Sequence, residues 1–439
     1  MSLSVVDFSQ GKSNVSSFEH LESNVQSYAN NFPDVFEFAE GAEIWADSGM
    51  RYLDFLSGAG SLNYGHNPPE LKSELLKYIE NNNISNSLDL HTRAKRTFLD
   101  TLDEVVLQPR GLDHVVQFTG PTGANAVEAA MKLARRVTGR STIAAFTNGF
   151  HGVTTGALSA TGNTYNRGAS GLPLTGVFRL PYDGYLGEDT NTIDYFEKLL
   201  EDPSSGLDLP AAVIFESVQG EGGHNVASDS WLQQLQALCR KHQILLIADE
   251  VQAGCGRTGE FFGFDNSGIL PDIITVSKSI SGYGLPLALC LIKREFDAWL
   301  PGEHNGTFRG NNLAFVTATA ALKKFWKSGK FEGEIFQRSD LLRQRLSKIS
   351  ELHCDAVTEV RGKGMMMGLA FGDPELARRV TAHAFQLGLI AERVGPHDEL
   401  VKIMAPINIR LDHLNEGLDI LETSIAEVTS TSPHSKFAD

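Results

Sequence analysis

The sequence predicts an α/β fold with a mainly parallel sheet wound by helical crossovers, and three observations carry the prediction. From about His114 short apolar runs alternate with stretches of helical periodicity, the pattern of strand–helix–strand units. Those runs are apolar throughout rather than alternating, as strands buried on both faces are. Beyond about Lys330 helices dominate, which predicts a second, smaller α+β domain built from both chain ends. The expected division is an N-terminal arm with part of the small domain in residues 1–70, a large domain in 71–328, and the rest of the small domain in 329–439.

At 439 residues, 41% of them hydrophobic, the chain can bury more than one core. No apolar run approaches the roughly 20 residues that a membrane-spanning helix needs. The 38 basic and 54 acidic residues give a net charge of −16. That field repels nucleic acid and anionic membranes and leaves any anionic substrate to a few local basic groups. Cys239, Cys255, Cys290 and Cys354 have no paired spacing, so reduced, buried thiols are expected rather than disulfides or a metal site. The opening MSLSVVDFSQGKSN has no basic segment followed by an apolar one, which leaves the cytoplasm as the expected compartment.

In chain order, the first forty residues read as a polar entry arm with one amphipathic stretch at 18–28. AEIWADSGMRYLDFLSGAG then alternates around Asp47-Ser48-Gly49, as a two-stranded hairpin does, and a small-residue loop follows at 57–60. Residues 71–81 read as a helix. A strand at 114–119 runs into Gly120-Pro121-Thr122-Gly123, after which Ala124, Val127, Met131 and Ala134 recur at helical spacing. The free amides and positive end of that helix suit an anion such as phosphate, although a plain glycine turn would look the same.

Further strands are expected at 142–147, 211–217, 244–248, 273–276 and 287–293, with functional loops after their carboxyl ends. Asn148-Gly149-Phe150-His151-Gly152 can present an aromatic ring to a flat ligand or to the core. FESVQGEGG carries Glu216 and Glu221 either toward the crevice or out to solvent. Helices at 331–352 and 374–387, one strand in VRGKGMMMGLAF, LVKIMAPINI and a helix at 414–428 follow. The polar tail from Thr429 is expected to be disordered.

The strand at 244–248 ends at Asp249, and the strand at 273–276 ends at Ser277-Lys278-Ser279. If these strands are neighbours, they bring an acid and an amine to one crevice. Such a pair suits pyridoxal phosphate, whose aldehyde condenses with an amine while a carboxylate keeps its ring nitrogen protonated. Taken singly, an acid at a strand end is more often a cap, and a loop lysine is usually solvated.

The motifs GPTGANAVEAAMKLAR, NGFHG, FESVQGEGG, IADEVQAGCGRTG, the SKS lysine and HNGTFRGNN, in this order and spacing, resemble the class III (ornithine and ω-amino) branch of pyridoxal phosphate aminotransferases. The resemblance covers nearly the whole chain. It implies fold-type I: a seven-stranded, mainly parallel sheet flanked by helices in the large domain, with a small α+β domain. Within the branch, FLSGAGSLNYGHN, SKSISGYGLPLAL and PGEHNGTFRGNN most resemble the members that exchange diaminobutyrate with 2-oxoglutarate in ectoine and related pathways. That implies the conversion of L-2,4-diaminobutyrate and 2-oxoglutarate to and from L-aspartate 4-semialdehyde and L-glutamate. An ornithine- or GABA-type aminotransferase, and an aminomutase or racemase that needs no keto acid, are the alternatives.

Carried over by motif, Lys278 is implied as the lysine that takes pyridoxal 5'-phosphate covalently and shuttles protons, and Asp249 as the partner of the ring nitrogen. Gln252 is implied to bond the phenolic oxygen, Gly123 and Ala124 to cradle the phosphate, Phe150 to stack on the ring, and His151 to lie beside it. Thr307 is implied to reach the phosphate of a neighbouring subunit, which makes the expected assembly a homodimer, or a higher oligomer, with shared sites. Glu221 matches the gate acid of the branch. Where ornithine-type relatives have its arginine partner, this chain has Lys402, a point charge instead of a fork. Arg309 is a second candidate for a substrate anion, and Arg257 reads as a structural ion pair or a substrate clamp, the first being expected.

Overall fold

The computed structural model describes residues 16–430, so the start of the entry arm and the tail expected to be disordered beyond Ser430 lie outside the described residues. The arm carries two short helices, Ser16–Leu21 and Tyr28–Asn31, instead of one amphipathic stretch. Strand β1 (Phe36–Glu40) precedes the expected hairpin, β2 (Glu43–Ala46) and β3 (Arg51–Asp54), and pairs antiparallel with β2. A register shift between Phe36 and Phe38, together with its mostly exposed side chains, spoils the alternation that would have revealed β1.

The principal sheet has seven strands: β4 (His114–Phe118), β5 (Ile143–Phe146), β6 (Val177–Leu180), β7 (Ala212–Phe215) and, beyond a small hairpin of β8 (Val218–Gln219) and β9 (Asn225–Val226), β10 (Leu245–Asp249), β11 (Ile273–Val276) and β12 (Leu289–Lys293). Their order is β4-β12-β11-β10-β7-β5-β6. β12 alone runs against its neighbours. A strand that follows its neighbour through a loop returns antiparallel, because a parallel return needs a long crossover. β6, with Arg179 in its middle, is an edge strand that an apolar-run criterion passes over.

Both faces of this sheet are buried, as the unbroken apolar runs require. Val213, Leu246, Ala248, Ile274 and Leu289 join one core cluster, while Ile214, Leu245, Ile247, Ile273 and Cys290 join the other. The helix Gly123–Thr138 covers the second face with Val127, Met131, Leu133 and Ala134. Thr122 caps its start, the side-chain oxygen accepting from the Asn125 amide at 3.3 Å, and Gly139 ends it in the left-handed region.

VRGKGMMMGLAF holds two strands, not one: β13 (Val357–Lys363) and β14 (Met366–Phe371), turning at Gly364 with φ 67°. β15 (Leu389–Ile390) pairs parallel with β3, so the two ends of the chain share a sheet. β16 (Glu392–Val394) and β17 (Leu400–Ile403) complete a second sheet of order β13-β14-β17-β16. Helices Lys330–Leu352, Pro374–Gln386 and Leu411–Ser430 accompany these strands in sequence. All four cysteines are free; three are buried as expected, but Cys354 is exposed beyond the end of the helix Lys330–Leu352. Among the described residues no helix is long and apolar enough to cross a membrane.

Candidate active site

β10 and β11 are adjacent and parallel, with Asp249 opposite Thr275. Asp249 therefore ends one strand where Lys278 begins the turn after the next. The turn Lys278–Ser281 is held by its serines, which explains the Ser-Lys-Ser sequence. The Ser277 hydroxyl donates to the Leu287 carbonyl at 2.9 Å, and the Ser279 hydroxyl to the Gly60 carbonyl at 2.8 Å. Lys278 itself sits at φ 54°, a left-handed conformation that a non-glycine residue keeps only when its surroundings fix it. Burial disfavours its ammonium and pushes its pKa down to about 8, with Glu221 opposing. No side chain among the described residues hydrogen-bonds its amine. Gly60 lies against it: a Cβ there would come within 2.7 Å of Met404 and 3.9 Å of the Lys278 chain.

Asp249 is 4% exposed and held on both oxygens. One oxygen accepts from the Thr275 hydroxyl at 3.0 Å and the Val251 amide at 3.2 Å; the other faces His151 Nδ1 at 2.7 Å. Burial works against a charged His151, but Asp249 outweighs it and raises the imidazole pKa. His151 thus lies on the acid and orients it, a role more specific than the neighbour of a ring that its motif implied. Phe150 is half-buried and lines a cavity of about 800 Å³ together with Tyr28, Glu221 and Glu392.

Glu216 is buried, not exposed. It accepts from the Phe150 amide at 2.8 Å and the Gly220 amide at 3.2 Å, tying the loops after β5 and β7 together, and burial pushes its pKa up to about 7. The start of the helix Gly123–Thr138 is closely packed. A Cβ on Gly123 would lie 2.7 Å from Val251, and one on Gly152 would lie 2.7 Å from the Ala124 Cβ. The Gln252 amide donates to Glu221 at 2.9 Å, while its buried Oε1 has no partner among the described residues.

Lys402 is fully buried. Its ammonium lies 3.1 Å from Glu221 and 2.9 Å from Glu392. The expected Glu221–Lys402 pair is therefore present, with a second acid that the sequence did not flag. Burial opposes the charge on Lys402, but the two carboxylates raise its pKa; burial likewise opposes the charge on Glu221, and Lys402 lowers its pKa. Glu392 faces Lys402 across the β16–β17 ladder, in a short Ala-Glu-Arg-Val stretch that carries no motif.

Two candidates lie apart from this cluster. Thr307 opens an exposed turn, Thr307–Gly310, and its neighbour Phe308 is 67% exposed. Arg309 pairs with Asp89 and donates to the His304 carbonyl at 3.1 Å. Arg257 is structural, as expected, but its partners are neutral oxygens and not a carboxylate. It is fully buried and donates to Asn63 Oδ1 and to the carbonyls of Met365 and Ala405, joining three distant segments.

The residues present fit pyridoxal phosphate: a half-buried lysine with a depressed pKa, an oriented carboxylate on the neighbouring strand, a helix start with its amides, and the unpartnered Gln252 oxygen. The sequence matches the profile of the family described as aminotransferase class-III over residues 25–425. A relative from Vibrio cholerae serotype O1 described as "Diaminobutyrate--2-oxoglutarate transaminase" is 55% identical over 410 residues, covering 93% of this chain and 99% of that one. A relative from Nocardia farcinica with the same description is 54% identical over 411 residues, covering 94% of each. The solved structure of an S-selective transaminase from Arthrobacter sp. has a TM-score of 0.84 at 22% identity, over 95% of this chain and 98% of that one, and so shares the fold. This chain belongs to the class-III aminotransferases, whose cofactor is pyridoxal phosphate.

Proposed function

We propose that this chain is a cytoplasmic enzyme that transfers the ω-amino group of L-2,4-diaminobutyrate to 2-oxoglutarate, giving L-aspartate 4-semialdehyde and L-glutamate, reversibly. The observation that carries the reading is the Lys278–Asp249 pair at the ends of adjacent strands, in a chain more than half identical to relatives described as diaminobutyrate–2-oxoglutarate transaminases. Pyridoxal phosphate, when bound, supplies an aldehyde and a ring that takes up electrons from the substrate carbon.

The protein does the rest. With a pKa near 8, Lys278 has an appreciable neutral fraction at neutral pH, which a carrier of protons to and from the reacting carbon needs. Asp249, fixed by Thr275, Val251 and His151, offers a carboxylate to a protonated ring nitrogen. The Gly123 and Ala124 amides and the dipole of their helix meet the phosphate. Phe150 offers a ring face, and Gln252 Oε1 an acceptor. Thr307, exposed here, serves the phosphate of a second subunit in a homodimer. Glu221 and Lys402 act at the substrate's distal end, with Glu221 able to leave Lys402 between half-reactions. Arg309, already paired with Asp89, is a weaker candidate for a substrate anion than sequence alone makes it.

A panel of amine donors assayed with and without 2-oxoglutarate tests the reading. Turnover of diaminobutyrate that depends strictly on the keto acid is expected. Turnover without it would indicate an isomerase, and preference for ornithine or 4-aminobutyrate would reassign the substrate.

A further inference from the structure

The gate pair is not a pair. Lys402 contacts two carboxylates, Glu221 at 3.1 Å and Glu392 at 2.9 Å, and both acids line the cavity that also holds Phe150. Their settings differ. Glu221 is 29% exposed, on the glycine-rich turn between β8 and β9, whereas Glu392 is 12% exposed and sits on a strand paired with the strand of Lys402. The first can turn away by giving up Lys402 and the Gln252 amide; the second has its backbone fixed opposite Lys402 by the ladder.

Two charge states follow. With Glu221 in place, two carboxylates against one ammonium leave one excess negative charge around Lys402, and the Arg393 and Asp398 that also line the cavity offset each other. With Glu221 turned away, Glu392 still compensates Lys402, and the site is neutral and not cationic. A lysine with Glu221 as its only partner would instead alternate between neutral and positive.

We propose that Glu392 is a specificity-determining residue, which keeps the distal subsite anionic when the gate is closed and so selects ω-amines that also carry an α-ammonium group over those that carry only a carboxylate. The inference rests on the function proposed above and deepens it. Diaminobutyrate presents an α-ammonium beside its carboxylate; 4-aminobutyrate, of the same chain length, presents a carboxylate alone. A closed subsite with excess negative charge attracts the first and repels the second. Tyr28, whose phenol pKa is raised by desolvation and by the neighbouring Glu392 and Glu221, borders the same wall.

The test uses the holoenzyme and single-turnover spectra with each donor. The ratio of apparent second-order constants for diaminobutyrate over 4-aminobutyrate is the readout. For Glu392→Gln it should fall about tenfold or more, as removal of one partly desolvated charge predicts. Glu392→Asp, which keeps the charge, should hold the ratio within about threefold of wild type and covers the case of a poorly folding Gln variant. An equal slowing of both donors, or a rise in the ratio, overturns the inference and makes Glu392 a structural counter-ion. A wild-type enzyme that reacts with 4-aminobutyrate but not with diaminobutyrate would overturn the proposed function, and this inference with it.

Discussion

Replacing Asp249 by asparagine keeps the shape of the side chain and removes its charge, which isolates the electrostatic part of the site. The amide oxygen can still accept from the Thr275 hydroxyl and the Val251 amide, so the end of β10 should stay in place. What disappears is the negative charge facing His151, 2.7 Å away and almost completely buried, and facing any protonated ring nitrogen presented to the crevice. Without the carboxylate, burial, helped by Arg179 and opposed by Glu216, drives the imidazole toward its neutral form. Removing one partner from a buried charged pair costs about 3–5 kcal/mol, which as transition-state stabilisation is roughly a 10²- to 10⁴-fold drop in rate. The assay is the single-turnover rate with diaminobutyrate at saturating cofactor, alongside a thermal melt of the variant. A rate within about tenfold of wild type would refute the reasoning and leave Asp249 a structural cap.

Capture of pyridoxal phosphate by the cofactor-free protein should speed up as pH rises, with a midpoint near 8, because the Lys278 amine reacts only when neutral and burial has lowered its pKa to that value; a midpoint near 10 would mean a solvated lysine. In mixed dimers of Lys278→Ala and Thr307→Ala subunits, one of the two sites carries neither change, so activity should exceed that of either parent; no recovery in verified mixed dimers would confine Thr307 to its own chain. Lys402→Ala leaves Glu221 and Glu392 without the ammonium they share and should lower stability to urea at neutral pH by about 3 kcal/mol. In the wild type Glu221 has a lowered pKa, so its stabilisation is present above the usual carboxylate range and lost as pH falls; the gap between variant and wild type should therefore narrow on acidification.

Much of the fold is legible in the chain because buried strands announce themselves. The runs that form β5, β7, β10, β11 and β12 are apolar on both faces, and a helix start behind Thr122 has few other readings. Asp249 and Lys278 can be named from the chain alone, since each closely follows such a run. What escapes is short or two-sided: β1 with its register shift, β6 at the edge, and the β13–β14 hairpin, whose glycine turn reads as the approach to a single strand. The direction of β12 is equally invisible to periodicity, which is the same for either sense of pairing.

Which residues carry charge, and where the apolar runs end, follows from the chain alone, because side-chain chemistry and hydrophobic periodicity are local properties. Which charges meet is decided only by the folded molecule. His151 lies about a hundred positions from Asp249, and Glu221 lies far from both Lys402 and Glu392, yet in the folded molecule His151 lies against Asp249, and Glu221 and Glu392 both lie against Lys402. Pairing of that kind follows from the order of strands and the exclusion of solvent, and no local pattern encodes either. That is why a glutamate outside every motif, on a three-residue strand, can set the charge of the pocket.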